Sequence, residues 1–216
     1  MGYGFLDIAS TPSVRAAQAA NGAAELWADL AVDRASDRFT EAEAAFIATR
    51  DSLYIATRSE TGWPYVQHRG GPPGFLRVLD DKTLGFADFR GNRQYISLGN
   101  LAADDRACLF LMDYPRRARL KIYAHVAARD LATDPALAER LATPGYRGRA
   151  ERAFVLTLAA FDWNCQQHIT PRFTERELAP SLEPVRGRIE ELERENRTLR
   201  ARLALMGVGE GPGPDD

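Results

Sequence analysis

The chain has 216 residues, of which 45% are hydrophobic and 27% charged, which suits one medium domain with an appendage and excludes two large independent domains or disorder throughout. A net charge of −2 argues against general polyanion binding, so no nucleic-acid partner is expected. With no run of ~18 apolar residues, no basic, apolar leader at Met1–Asp7 and only two cysteines, Cys108 and Cys165, the expectation is a soluble cytoplasmic protein with no membrane partner, no disulfide framework and no metal site.

The first 50 residues are alanine-rich, and Thr11-Pro12 and Thr40-Glu41-Ala42-Glu43 predict helix starts, each placing a capping hydroxyl ahead of the first turn. These helices are expected to cover a sheet. From Ser52 the period becomes two, with Leu53, Ile55 and Thr57 alternating with Ser52, Tyr54, Ala56 and Arg58 up to the turn Ser59-Glu60-Thr61-Gly62. A second strand is predicted over 63–69, and others over 75–79, 83–88, 107–112, 118–127 and 153–163. Helical patches fall at 93–101 and 135–141. Mostly antiparallel strands with a few short helices define an α+β fold whose sheet curls into a barrel, and the absence of βαβαβ alternation excludes a doubly wound nucleotide-binding fold.

Near Pro180 the composition changes. Val185, Ile189, Leu192, Asn196, Leu199, Leu203 and Met206 follow one another at alternating spacings of four and three, a heptad seam with Ile189, Asn196 and Leu203 at a and the others at d. In a parallel pair, Arg188 meets Glu193 and Glu195 meets Arg200 of the second copy, and a lone Asn at a fixes register and two-strandedness. The other reading is a single amphipathic helix packed on its own domain. The expected organisation is residues 1–180 as a barrel domain with its helical cover, 181–206 as an amphipathic, coiled-coil-like helix, and 207–216 as a Gly/Pro/Asp-rich disordered tail.

Four stretches carry residue types suited to a ligand. In His68-Arg69-Gly70-Gly71-Pro72-Pro73-Gly74-Phe75, glycines beside His and Arg at a strand end allow close backbone approach to a bound group, although the same residues also make a bulge and turn. Phe86-Ala87-Asp88-Phe89-Arg90-Gly91-Asn92-Arg93-Gln94 runs from strand through a tight turn into a helix, where amide donors with Asn92, Arg93 and Gln94 suit a phosphate, or form an ordinary cap. On 118–127, Arg119, Lys121, Tyr123 and His125 share one face and Leu120, Ile122, Ala124 and Val126 the other, giving a cationic face or simply a wet one. Finally, Trp163-Asn164-Cys165-Gln166-Gln167-His168 suits hydrogen bonding and stacking on a flat heterocycle better than thiol or zinc chemistry, since Cys165 and His168 form neither a triad nor a recognisable ligand set.

Taken together, in this order along the chain, the segments 67–75, 86–94, 117–122 and 162–172 resemble the FMN-binding split-barrel family related to pyridoxamine 5′-phosphate oxidase, over roughly residues 39–173. The resemblance implies a split β-barrel and a homodimer with FMN at the subunit interface. It implies that Gln67, His68, Arg69 and Gly70 line the flavin, that Asn92, Arg93 and Gln94 correspond to the family's Ser-Arg-Lys phosphate segment, that Arg119 and Lys121 reach the cofactor from a second strand pair, and that Trp163, Asn164 and Gln166 lie near the ring edge. The implied activity is an FMN-dependent oxidoreductase acting on a small-molecule substrate, or on a reduced nicotinamide or flavin. The alternative is a non-catalytic flavin-binding module with a partner-recruiting helix. Gln94 stands where the family has Lys, and the family's Arg-x-His motif and Arg-Leu-x-Pro ending are absent, so oxidation of vitamin B6 phosphates is not implied.

Overall fold

The computed structural model describes residues 4–27, 37–163 and 167–206, which divide into two compact units at Thr170/Pro171.

The first unit is built on seven strands, β1 (Ser52–Arg58), β2 (Pro64–Gly70), β3 (Arg77–Asp80), β4 (Thr83–Phe89), β5 (Arg106–Asp113), β6 (Ala118–Arg129) and β7 (Ala150–Trp163), in one sheet of order β2-β1-β5-β6-β7-β4-β3. Every pairing is antiparallel. Alternation places Leu53 and Ile55, Leu109 and Leu111, and Leu120 and Ile122 in a common core with Phe154 and Leu156, all at most 1% exposed. Each such side chain contributes roughly 1.5–3 kcal/mol through its burial. The strand foreseen at 75–79 begins only at Arg77. Phe75 and Leu76 instead turn into the core, with the Phe75 amide donating to Pro72 O at 2.9 Å. Gly71 permits this turn, since a Cβ there would lie 2.6 Å from Phe75 Cβ.

The sheet is strongly curled. Arg69, on edge strand β2, pairs at 2.5 Å with Asp88 on β4, one strand in from the opposite edge. Among the described residues β2 nevertheless pairs with β1 alone, so the barrel closes through side chains and leaves a split between its outer strands. Around it lie α1 (Phe5–Ala9), α2 (Pro12–Ala20), α3 (Glu41–Ala48), α4 (Ile96–Ala103) and α5 (Pro135–Arg140). Thr11 and Asp134 cap α2 and α5, and Thr40 with Glu43 forms a capping box on α3, as the hydroxyl-first spacing implies for α2 and α3.

The second unit contains α6 (Glu175–Leu205), 31 residues long, none of them buried. It starts earlier than residue 181, because Thr174 and Glu177 close a capping box upstream, and it continues through Pro180 and Pro184, each of which removes one backbone donor. The tail expected over 207–216 lies outside the described residues. No helix among the described residues is long and apolar enough to cross a membrane.

Candidate functional site

The curl of the sheet brings two of the four stretches together. Gln67 and Arg69 project from β2 toward the turn after β4, and with Asp88, Gly91, Asn92, Arg93, Tyr95 and Glu151 they line a pocket of about 220 Å³. β2 alternates, so Gln67 and Arg69 share the face paired across β1 with Ile55 and Leu53, while His68 takes the opposite face beside Tyr54, their rings 5.6 Å apart. One strand therefore does not present Gln67, His68 and Arg69 to the same space.

Each side chain in the pocket has an identifiable hold. Gln67 Oε1 accepts from the buried Ser97 hydroxyl on α4 at 2.7 Å. Arg69 and Arg152 clasp opposite oxygens of Asp88, at 2.5 and 3.1 Å, and Arg69 lies over the Phe154 ring at 5.6 Å. Tyr95 donates to Glu151 at 3.1 Å, Arg152 stacks on the Tyr95 ring at 5.0 Å, and Arg90 Nε sits 3.6 Å from Glu151. Burial pushes the Asp88 carboxyl above its ordinary value, and Arg69 and Arg152 pull it back only in part. Arg69 Nε is buried with no hydrogen-bond partner among the described residues, the kind of donor that an acceptor-bearing ligand satisfies.

The turn over 91–95 departs from the sequence expectation. The helix begins at Ile96 rather than 93, after Arg93 and Tyr95 both adopt left-handed backbone at φ 63° and 53°. Arg93 is thus held out at the pocket wall by an uncommon turn conformation, not presented from a helix N-terminus. Asn92 Oδ1 accepts from the Gln94 amide at 3.2 Å and Asn92 Nδ2 donates to Gln94 Oε1 at 3.1 Å. These bonds brace the turn from within, and Gln94 itself does not line the pocket.

The remaining candidates lie elsewhere. Gly70 ends β2, where a Cβ would meet the His68 ring at 3.1 Å and Asp51 O at 3.4 Å. Arg119 and Lys121 stand on β6 and converge on Asp162 at 3.5 and 3.0 Å, with Arg119 over Phe110 and Lys121 over Phe5. The register carries His68 to Tyr54, Phe110, Lys121 and Asp162 in one row across β2, β1, β5, β6 and β7. His68, Arg119 and Lys121 therefore belong to the outer face of the sheet, which also exposes Tyr54 and Val66, at 43% and 60%. Cys108 shares this face, and burial raises its thiol against the pull of Lys121 and Arg119, which disfavours thiolate chemistry. The Trp163 indole donates to Glu43 on α3 at 2.8 Å and packs edge-on against Phe46. Asn164 and Gln166, with Cys165, lie outside the described residues.

The residues that sequence reasoning missed are the acidic and aromatic partners, Asp88, Glu151 and Tyr95, with Arg152. A carboxylate in the apolar run Phe86-Ala87-Asp88-Phe89 is the one signal that could have marked a buried ion pair.

The fold is a curled antiparallel split barrel in which a cationic turn faces one strand edge. The family model for pyridoxamine 5′-phosphate oxidase matches residues 39–162, more than half of the chain, and the chain belongs to this family. Solved structures with similar folds include an FMN-binding protein from Syntrophomonas wolfei (13% identity, 68% of this chain and 97% of that one, TM-score 0.44). Another is a protein from Clostridium acetobutylicum related to general stress protein 26 of Bacillus subtilis (16%, 62% and 92%, 0.42), and a third is an F420 reductase (18%, 57% and 98%, 0.41). Among curated proteins none matches.

Proposed function

We propose that the protein is an FMN-binding oxidoreductase that works as a homodimer, passing electrons between a small organic substrate, or a reduced nicotinamide or flavin, and an acceptor. The observation that carries this reading is the convergence of Gln67, Arg69, Asn92 and Arg93 on one pocket, from stretches separated in sequence. The charge of Arg69 is balanced by Asp88 while its Nε stays open as a donor, so a phosphate entering the pocket meets Arg93 as its cation, with Asn92 and the braced turn supplying amide donors.

At about 220 Å³ the pocket is smaller than the ~300–1,000 Å³ of a site that encloses a whole ligand. FMN therefore needs a second surface. The outer sheet face supports that requirement, because Tyr54 and Val66 are exposed there beside His68, Arg119 and Lys121, and an exposed apolar sheet face is a common site of subunit contact. The bound flavin would supply hydride acceptance, which no side chain here provides. Arg119 and Lys121 would offset negative charge on the reduced ring, tempered by Asp162. Trp163, whose N–H is committed to Glu43, would contribute its ring rather than its donor, and His68 and Gly70, with His68 on the face of β2 opposite the pocket, would bound the cofactor held by a second copy. Asn164 and Gln166 complete the proposed set.

Titrating FMN and riboflavin against wild type and Arg93→Ala tests the reading. Loss of a charge-assisted contact worth ~1.5–3 kcal/mol should weaken FMN by roughly tenfold to a hundredfold, while riboflavin, lacking the phosphate, binds both proteins equally. Equal losses for both ligands would assign Arg93 to the fold. No binding of either ligand to wild type would overturn the flavin reading.

A further inference from the structure

The helix α6 carries a longer seam than the stretch from Val185 onward. Continuing the four–three spacing upstream brings in Leu182 and Leu178, and the helix runs unbroken through both. Every apolar residue of this extended seam is exposed, from Leu178 at 39% to Met206 at 77%. In the same frame Pro180 and Gly187 take f and Pro184 takes c. All three residues that weaken a helix thus stand on the face away from the seam, and the apolar edge runs over roughly four heptads, or ~43 Å of helix, broken only by Asn196.

We infer that α6 pairs with the α6 of a second copy of this chain as a parallel, in-register coiled coil from Leu178 to Met206. Charge complementarity selects this partner. In a parallel pair Arg188 at g faces Glu193 at e of the second copy, and Glu195 faces Arg200, so both interhelical contacts are attractive. Within one helix, Arg188 pairs with Glu191 and Arg197 lies 3.9 Å from Glu193, but exposed pairs of this kind contribute only ~0.2–1 kcal/mol and exchange partners readily. Asn196 selects the orientation. In register it meets its own copy and the two amides bond to each other. In an antiparallel pair a faces d, and Asn196 would be buried unpaired against an apolar side chain. A single helix with so exposed a seam gains little from folding alone, since helical stability in proteins comes mainly from packing an amphipathic face. This inference stands on α6 alone and does not depend on flavin binding.

The test uses the full chain with Cys108 and Cys165 both replaced by Ser. Leu182→Cys, Leu192→Cys and Arg194→Cys, the last at the outward f position, are oxidised separately. The first two should form interchain disulfides at least ~10-fold faster than the third, because the seam holds equivalent residues together at high effective concentration. Slow linking at Leu192, or equal rates at all three, overturns the pairing; linking at Leu192 without linking at Leu182 overturns its extension past Pro184. Adding Glu195→Arg should slow linking at Leu192, and adding Arg200→Glu as well should restore it. Failure to restore overturns the parallel charge pattern. Flavin content, read by absorbance, should be the same in every variant, so a failure of the cofactor reading leaves this outcome unaffected.

Discussion

Along β6 every second residue disappears from solvent, with Leu120, Ile122, Ala124 and Val126 all under 5% exposed, whereas α6 keeps its apolar residues exposed from end to end. Both segments have a regular hydrophobic period, two in the strand and alternately four and three in the helix. The difference is where the complementary surface lies. For β6 it is in the same chain, folded over it by the curl of the sheet; for α6 nothing among the described residues of its own unit buries the seam. Periodicity therefore states that a face is meant to be covered, without stating by what.

The sharpest way to break this comparison is to truncate one residue of each kind. Leu109→Ala, at a fully buried position, should lower the stability of the barrel by about 2–5 kcal/mol, read from the midpoint of urea unfolding. Leu192→Ala should leave that transition where it is. If Leu192→Ala also shifted the barrel midpoint by a comparable amount, the two units would not be energetically separate.

A smaller effect is expected where the barrel closes through charge. Arg69→Ala removes one of the two cations holding Asp88 and leaves the carboxylate less compensated, costing about 2–3 kcal/mol at neutral pH. The carboxyl in the folded state is already raised by burial, and the substitution raises it further. A carboxyl whose folded value lies above its unfolded one binds its proton more tightly when folded, so stability falls as pH rises through the folded value. The penalty of Arg69→Ala should therefore be smallest near pH 4 and grow toward pH 7. A pH-independent penalty would mean that Arg69 matters for its packing over Phe154 rather than for its charge.

The smallest pair of effects differs in sign. A Cβ at Gly71 would press on Phe75 at 2.6 Å, whereas one at Gly187 meets nothing within 4 Å. Gly71→Ala should destabilise the barrel by ~1–3 kcal/mol. Gly187→Ala should raise helix content and stabilise α6 by ~0.5–1 kcal/mol, measured by circular dichroism on heating. A gain at Gly71 would show that the turn relaxes, and a loss at Gly187 would put a neighbour on the f face of α6.

Much of the fold was legible in local signals. Seven strands were foreseen, β1 and β6 from alternation and β3 with its start two residues early, hydroxyl-first caps located α2 and α3, and the inward residues of β6 were read correctly from the pattern alone. The candidate site was legible only in part. Gln67, Arg69, Asn92 and Arg93 do meet, yet His68 parts from its neighbours because adjacent strand residues point to opposite faces. The start of α4 was misplaced because nothing local signals that Arg93 and Tyr95 adopt left-handed backbone, and α6 starts upstream of the composition change near Pro180, at the Thr174–Glu177 cap.

The sequence by itself determined which segments extend, which coil, and which face of each is apolar, since these follow from side-chain spacing over a few residues. Only the tertiary structure decided that Asp88 and Glu151 enter the pocket beside Arg69, and that Trp163 spends its donor on Glu43. Those contacts join residues from 19 to 120 positions apart. They exist because the sheet curls far enough to bring β2 against β4 and α3 against the end of β7, a closure set by the packing of the whole core and by no local stretch of the chain.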